Sequence, residues 1–220
     1  MEDRLTPSMY LEMTDGNADA YAQVRVSEVL ALPGVERATW WSNVKRDRTD
    51  LPRVLPEFDV LGVYEVDTAF VAPNVLPDGI TSHHFRRTPR PGQGSISGQP
   101  TIGLSLVLIS PKDPVHAQDL RDWGDFVHIR HISDVGVPGY TMITPYENAL
   151  AADCDDADPR YLHFYEMDTD DPERAFKAMT PLVEARIGEQ GTPAFQEWGW
   201  HDQLRIMYVN TFARRGERTP

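Results

Sequence analysis

Alternation of apolar and polar positions, interrupted at prolines and glycines, divides the chain into strands and helices whose order occurs twice. In the second half Thr101 to Ser110 (TIGLSLVLIS) is rich in β-branched and aliphatic residues and ends at Pro111, which predicts a buried strand. Asp113-Pro114 opens a helical stretch to about Val135. Within it Leu120, Trp123, Val127 and His131 recur at i, i+3, i+7 and i+11, the spacing of a face laid on a sheet. Pro138-Gly139 stops that helix, and Tyr140 to Asn148 is the second strand. Tyr161 to Asp168 is the third, with Tyr161, His163, Tyr165 and Met167 on one face. Alternation does not say whether that face meets the helices or a barrel interior. Asp171-Pro172-Glu173 has the N-cap carboxylate, first-position proline and first-turn acid of a helix start, so a helix runs to Ile187. Leu204 to Phe212 is the fourth strand, which completes β-α-β-β-α-β, the ferredoxin-like unit.

The first half repeats this order with one part missing. Ser8 to Thr14 is a strand, Asn17 to Leu32 a helix stopped by Pro33-Gly34, Val35 to Asn43 and Phe58 to Asp67 two further strands, and Ile80 to Arg86 the fourth. Between Thr68 and Ile80 the segment is too short and too broken by Pro73 and Pro77 for a full second helix. The duplication is also literal. Val63-Tyr64-Glu65-Val66-Asp67-Thr68 returns as Phe164-Tyr165-Glu166-Met167-Asp168-Thr169, and superposing the two Pro-Gly pairs brings Trp41 onto Tyr146 and Asn43 onto Asn148. The expected organisation is a first half over 1–92, a linker over 93–100 (QGSISGQP within it) and a second half over 101–220. Two four-stranded sheets with uncovered apolar faces in one chain predict an α+β fold in which they close on each other as an intramolecular α/β barrel.

Composition narrows the functions. A net charge of −13 over 220 residues argues against a nucleic-acid backbone as partner, the local exception being Arg86, Arg87 and Arg90 in a Pro/Gly stretch, read as a linker flank. No apolar run approaches a membrane span, and Met1 to Leu5 lacks the features of a secretory signal, so a cytoplasmic location is expected. The single cysteine, Cys154, lies among Asp153, Asp155 and Asp156, which disfavour a thiolate. That acidic run lacks the glycine and distal glutamate of a calcium loop and reads as a solvated connection.

Asp122-Trp123-Gly124-Asp125-Phe126-Val127-His128-Ile129, followed by Gly136-Val137-Pro138-Gly139-Tyr140, resembles the helix signature of the EthD-like dimeric α/β-barrel proteins: a tryptophan, a histidine five residues later, then Pro-Gly and an aromatic strand. The resemblance covers most of 101–213 and implies a fusion equivalent to that family's dimer. Between His128 and Pro138 the spacing is about two residues longer than the family's, so His131 is expected to share the role of His128. The corresponding first-half positions, near Ala20 and Arg25, carry neither signature side chain, which assigns the site to the second half. The superfamily contains lyases, isomerases, cyclases and oxygenases that use no cofactor, together with haem-binding branches, and fold alone selects none.

The chemistry-bearing set is Asp125, His128 and His131, at i, i+3 and i+6. A carboxylate beside an imidazole fixes its tautomer and raises its basicity, and such a base can take a proton next to a carbonyl while Tyr146, Tyr165 or Asn210 donates to the resulting enolate. Trp123 is a core anchor or a pocket wall, and His163 is a rival base if its face borders the cavity. Each histidine is also readable as a packed structural residue. The expected function is therefore a lyase, isomerase or cyclase without cofactor, acting on a small apolar carbonyl-bearing or aromatic metabolite. The alternatives are a non-catalytic small-molecule-binding protein and a haem-binding or oxygenase-type barrel with His128, His131 or His163 as axial ligand. No metal is expected, since His128 and His131 lack a third ligand. The expected partner is a small molecule, with no nucleic acid or membrane, in a monomeric pseudo-dimer or a homodimer.

Overall fold

The computed structural model describes residues 7–151 and 157–220; the Met1 to Leu5 start, Cys154 and its neighbours Asp153, Asp155 and Asp156 lie outside them. The first half contributes β1 (Ser8–Thr14), β2 (Val35–Asn43), β3 (Val60–Val66) and β4 (Ile80–Arg87); β5 (Gln93–Gly94) follows, and the second half contributes β6 (Gly103–Pro111), β7 (Tyr140–Asn148), β8 (Tyr161–Met167) and β9 (Leu204–Arg218). Each half has the ferredoxin-like order, β4-β1-β3-β2 and β9-β6-β8-β7. The halves are sewn together at both edges, β2 to β9 and β4 to β7, so the eight long strands close into an antiparallel barrel. The expected α+β barrel is the observed fold, and the described residues between β3 and β4 contain no helix.

Strand parity sorts the apolar residues into two compartments. Leu11, Trp41, Leu61, Phe85, Leu106, Phe164 and Phe212, all fully buried, belong to one cluster drawn from both halves that fills the barrel lumen. Outward-facing residues form separate layers under the helices, around Tyr10, Tyr64 and Val26 in the first half and around Ile129, Tyr165, Val183 and Trp198 in the second. Trp40 and Trp41 divide accordingly, Trp41 into the lumen and Trp40 under the first-half helices.

The repeated motifs meet each other in space. The Pro-Gly glycines, Gly34 and Gly139, have φ of 84° and 91°, and their carbonyls accept from Asp67 N at 2.8 Å and Asp168 N at 2.9 Å. A Cβ on Gly34 would lie 2.5 Å from Asp67 Oδ1 and one on Gly139 2.7 Å from Thr169 Cγ2, so glycine is required at both for conformation and for space. Helix stop and strand end are therefore one structural unit, used twice.

The helices start where their caps dictate. Asn17 accepts from Asp19 N and Ala20 N, Asp113 from Val115 N, and Asp171 from Arg174 N. What differs from the expected helices is their interior. In the first half α1 (Ala18–Tyr21) and α2 (Ser27–Leu30) are joined by a π-turn at Ala22–Val26; in the second, α3 (Ala117–Trp123) and α4 (Ile129–Val135) are joined by one at Gly124–His128. The wider turn advances the buried face, so Leu120, Trp123, Asp125, Ile129 and Ile132 point inward, whereas Val127 and His131 from the expected stripe are only partly buried. After α5 (Pro172–Ile187) comes a short helix, α6 (Pro193–Gly199), capped by Thr192.

Candidate functional site

The π-turn decides what the second-half layer can do. Asp125, 2% exposed, points at β8 and accepts from His163 Nε2 at 3.1 Å, so the aspartate pairs with a strand histidine and not with His128 on its own helix. Gly124 makes this possible: a Cβ there would stand 2.9 Å from His163 Cε1. The second carboxylate oxygen of Asp125 lies 3.3 Å from Arg90 Nη1 and 3.8 Å from Arg121 Nε. His163, 3% exposed, therefore faces the helices and not the lumen, as do Tyr161 and Tyr165.

His128 turns toward α6. Its ring stacks on Trp198 at 5.4 Å and 12° and lies 5.0 Å from Trp123 on another side. Nδ1 donates to the Trp198 carbonyl at 2.9 Å, and the Trp198 indole donates back to the His128 carbonyl at 3.2 Å. Trp123 Nε1 donates to the Glu197 carbonyl at 2.6 Å, so α6 is latched to the π-turn by three bonds through aromatic or imidazole N–H groups. Burial drives the His128 pKa down to about 4, opposed by its bond to Trp198 and reinforced by the nearby His163 and His131. His128 is thus a neutral imidazole at ordinary pH. His131 Nδ1 is buried without a hydrogen-bond partner.

Beyond Trp123 the stack continues to His201, 5.6 Å away, and opens on a cleft of about 900 Å³ lined by His116, Asp119, Gln196, Glu197, Trp200 and His201. His116 and Asp119 pair at 3.0 Å across its rim. Among the described residues no three His, Cys, Asp or Glu side chains converge as a metal-binding group.

The sequence-predicted residues separate into two places. Asp125, His128, His131, His163, Trp123 and Tyr165 occupy the helix-facing layer, where burial, with Tyr140 and Asp125 nearby, pushes the Tyr165 hydroxyl well above its usual range. Tyr146 is in the lumen cluster on the other side of the sheet. Asn210 is held by Lys45 O at 2.9 Å, Glu57 and Arg48 Nε at 3.2 Å, in a network built by the 44–59 loop. Neither can donate to a molecule bound beside His163. Arg90 and Arg121 were not foreseen as parts of the site; the one available signal was a basic cluster in a strongly acidic chain.

No protein-family model matches the chain, and no curated protein matches it. Solved structures do. A candidate monooxygenase from Lactobacillus acidophilus superposes with a TM-score of 0.53 at 11% identity, over 97% of this chain and 96% of that one. Another from Fusobacterium nucleatum gives 0.53 at 7%, over 98% and 95%. A chlorite dismutase from Candidatus Nitrospira defluvii gives 0.48 at 10%, over 95% and 91%. Identities this low establish the shared α/β-barrel fold; an EthD-like protein is not among those named. Neither name is that of a lyase, isomerase or cyclase. The expectation of no cofactor is withdrawn, since a fold shared at such identities does not carry it.

The residues present do not fit a haem in the arrangement described. Its slot would be the helix-facing layer, yet Ile129, Ile132, Tyr165, Val183 and Trp198 fill that layer at 4% exposure or less. His163 Nε2 is taken by Asp125, and the His128 ring is enclosed by Trp123 and Trp198. No helix is long and apolar enough to cross a membrane among the described residues.

Proposed function

We propose that this protein is an oxygenase-type α/β-barrel enzyme that acts on a small aromatic or carbonyl-bearing molecule in the second-half layer. The observation that carries the reading is the buried Asp125–His163 pair set behind an aromatic stack that leads to an open cleft. Two candidate monooxygenases that share the fold over nearly the whole chain support the reaction class.

In this reading His163 is the base, oriented by Asp125, and takes a proton from the substrate. The anion that remains, delocalised over an aromatic or carbonyl system, is the electron-rich species an oxygenase needs. His128 is a poor base with its pKa near 4, and serves with Trp123 and Trp198 as an aromatic wall. The EthD-like tryptophan-to-histidine spacing then marks the wall, with the proton-transferring group supplied by β8. His131 stands beside that wall as a secondary polar group. The α6 helix, joined to α5 through Gly188 and Gly191 at positive φ, is the element whose displacement admits substrate.

The test is oxygen consumption by the purified protein with a panel of phenols, quinols and enolisable aromatic ketones. His163→Ala is expected to lower turnover about 10²–10⁴-fold, the range for losing a general base. His128→Ala is expected to lower it less than His163→Ala. Substrate turnover with no oxygen uptake would overturn the oxygenase class, and an unimpaired His163→Ala variant would remove the base. An absorption spectrum of the same preparation decides the cofactor question independently, through a Soret band.

A further inference from the structure

The segment joining the two halves has the composition of a linker, but its course is fixed. Gln93 and Gly94 pair with Ile143 and Met142 of β7, and Ser95 N donates to Thr141 O at 2.7 Å. Two glycines permit this closeness. A Cβ on Gly92 would lie 2.9 Å from Met142 Sδ, and one on Gly94, at φ 139°, would lie 2.2 Å from Thr141 O. The strap is therefore bonded along the edge of β7, and Arg90, just before it in the chain, reaches over the π-turn. Its guanidinium is 2.5 Å from Asp122 Oδ1, 3.3 Å from Asp125 Oδ2 and 4.8 Å from the centre of the Phe126 ring.

We infer that this connecting segment is a working part of the second-half site, and that Arg90 is a positioning residue that acts on His163 by sharing the carboxylate of Asp125. The inference rests on the reading of His163 as the base. A carboxylate whose only partner is an imidazole stabilises the imidazolium and raises its pKa. Asp125 differs, since Arg90 and Arg121 both face its Oδ2 while His163 holds Oδ1. With two cations on the acid it keeps its hydrogen-bonding geometry but has little attraction left for a third. His128 and His131 are the neighbouring imidazoles; Arg121 is also tied to Glu147 at 3.1 Å, and Arg90 to Asp122. His163 then donates from Nε2 to Asp125, which leaves Nδ1 as the ring nitrogen that can accept a proton.

The test reads the ring, not turnover. Imidazole nitrogen shifts of ¹⁵N-labelled protein are followed against pH in the wild type and in Arg90→Gln, Arg90→Lys and Arg121→Gln. Arg90→Gln is expected to raise the His163 midpoint by about one pH unit. Arg90→Lys is expected to restore most of the wild-type value, and Arg121→Gln, with the longer contact, to give a smaller rise. A His163 midpoint unchanged in Arg90→Gln overturns the proposal; should that variant fail to fold, an unchanged midpoint in Arg121→Gln overturns it instead. The outcomes are separable from the functional reading. Shifted midpoints in a protein that consumes no oxygen would strike the oxygenase reading alone, and unshifted midpoints in an active enzyme would strike the role of Arg90 alone.

Discussion

The two helix-facing layers use the same backbone device for opposite ends. In each, an aromatic residue immediately precedes a π-turn, Tyr21 before Ala22–Val26 and Trp123 before Gly124–His128, and the turn packs on the third strand of its half. In the first half the strand residue is Gly62 and the helix supplies the bulk; a Cβ on Gly62 would be 2.1 Å from Tyr21 Oη. In the second half the helix supplies the glycine, Gly124, and the strand supplies the bulk, His163. The polar groups diverge with them. Glu12, with no exposed surface, accepts from Tyr21 at 2.9 Å, from Tyr10 at 3.2 Å and from Arg25 through both oxygens, and Tyr21 bonds Tyr64 at 2.6 Å. Every group there has a strong partner, and burial raises the tyrosine pKa values, that of Tyr10 to about 12. The second-half layer instead holds three histidines near one another, only one of which bonds a carboxylate. One layer is locked by fully paired polar groups, and the other leaves His131 Nδ1 without a hydrogen-bond partner.

The sharpest way to break this contrast is to remove the two acids in turn. Glu12→Ala leaves Arg25 and two tyrosines without their acceptor in a closed layer, and is expected to cost about 3–5 kcal/mol in denaturant unfolding. Asp125→Ala should cost at most about half as much, because Arg90 keeps Asp122 and Arg121 keeps Glu147. Equal losses would mean that both layers are structural networks of the same kind.

Exchanging the glycines has a smaller effect. Gly62→Ala drives a methyl group into Tyr21 and is expected to destabilise the protein by about 1–3 kcal/mol. Gly124→Ala gains helix propensity of about 1 kcal/mol and presses on a single imidazole, so its stability should stay within about 1 kcal/mol of wild type. Its signature should be a displaced His163 resonance. A stability loss larger than that of Gly62→Ala would reverse the assignment of locked and working halves.

Acid is the mildest probe. His83 of β4 and His128 are each lowered by burial to about 4, against about 6.5 in the unfolded chain. Between those values the unfolded chain binds protons that the folded protein refuses, so stability is complete above pH ~6.5 and falls as pH drops toward 4. At pH 5 each histidine should account for about 1–2 kcal/mol in urea unfolding. His83→Gln and His128→Gln should each flatten that dependence by its own share, one from each half.

Much of this was legible in the chain. Both Pro-Gly stops, the cap at Asp171-Pro172 and all eight long strands followed from local pattern, because alternation and turn chemistry act over a few residues. The pairing of Asp125 did not. An ideal helix puts Asp125 beside His128, and only the π-turn, made usable by Gly124 against His163, rotates it onto β8. Parity placed Tyr165 and Tyr146 on faces of their strands without saying which face was lumen, and the two fell on opposite sides. The partners of Arg48 and Arg90 were not legible for a different reason. Arg48 joins Asn210 and Glu173 over a hundred residues away, and Arg90 spans 32 residues to Asp122; such contacts are properties of the closed barrel and not of any segment.

The last strand adds a consequence in time. Leu204 to Ala213 of β9 completes the second-half sheet beside β6, while its remainder, from Phe212 to Arg218, completes the first-half sheet beside β2. The ion pair from Arg37 to Glu217 spans 180 residues of chain. At roughly 5–20 residues per second, the edge of β2 waits on the order of 10–40 s during synthesis for the strand that covers it. That edge carries Trp40 and Trp41. Closure of the barrel is therefore the latest step of assembly, and the nascent first half passes through an open-edged sheet that invites pairing with other chains before its own partner arrives.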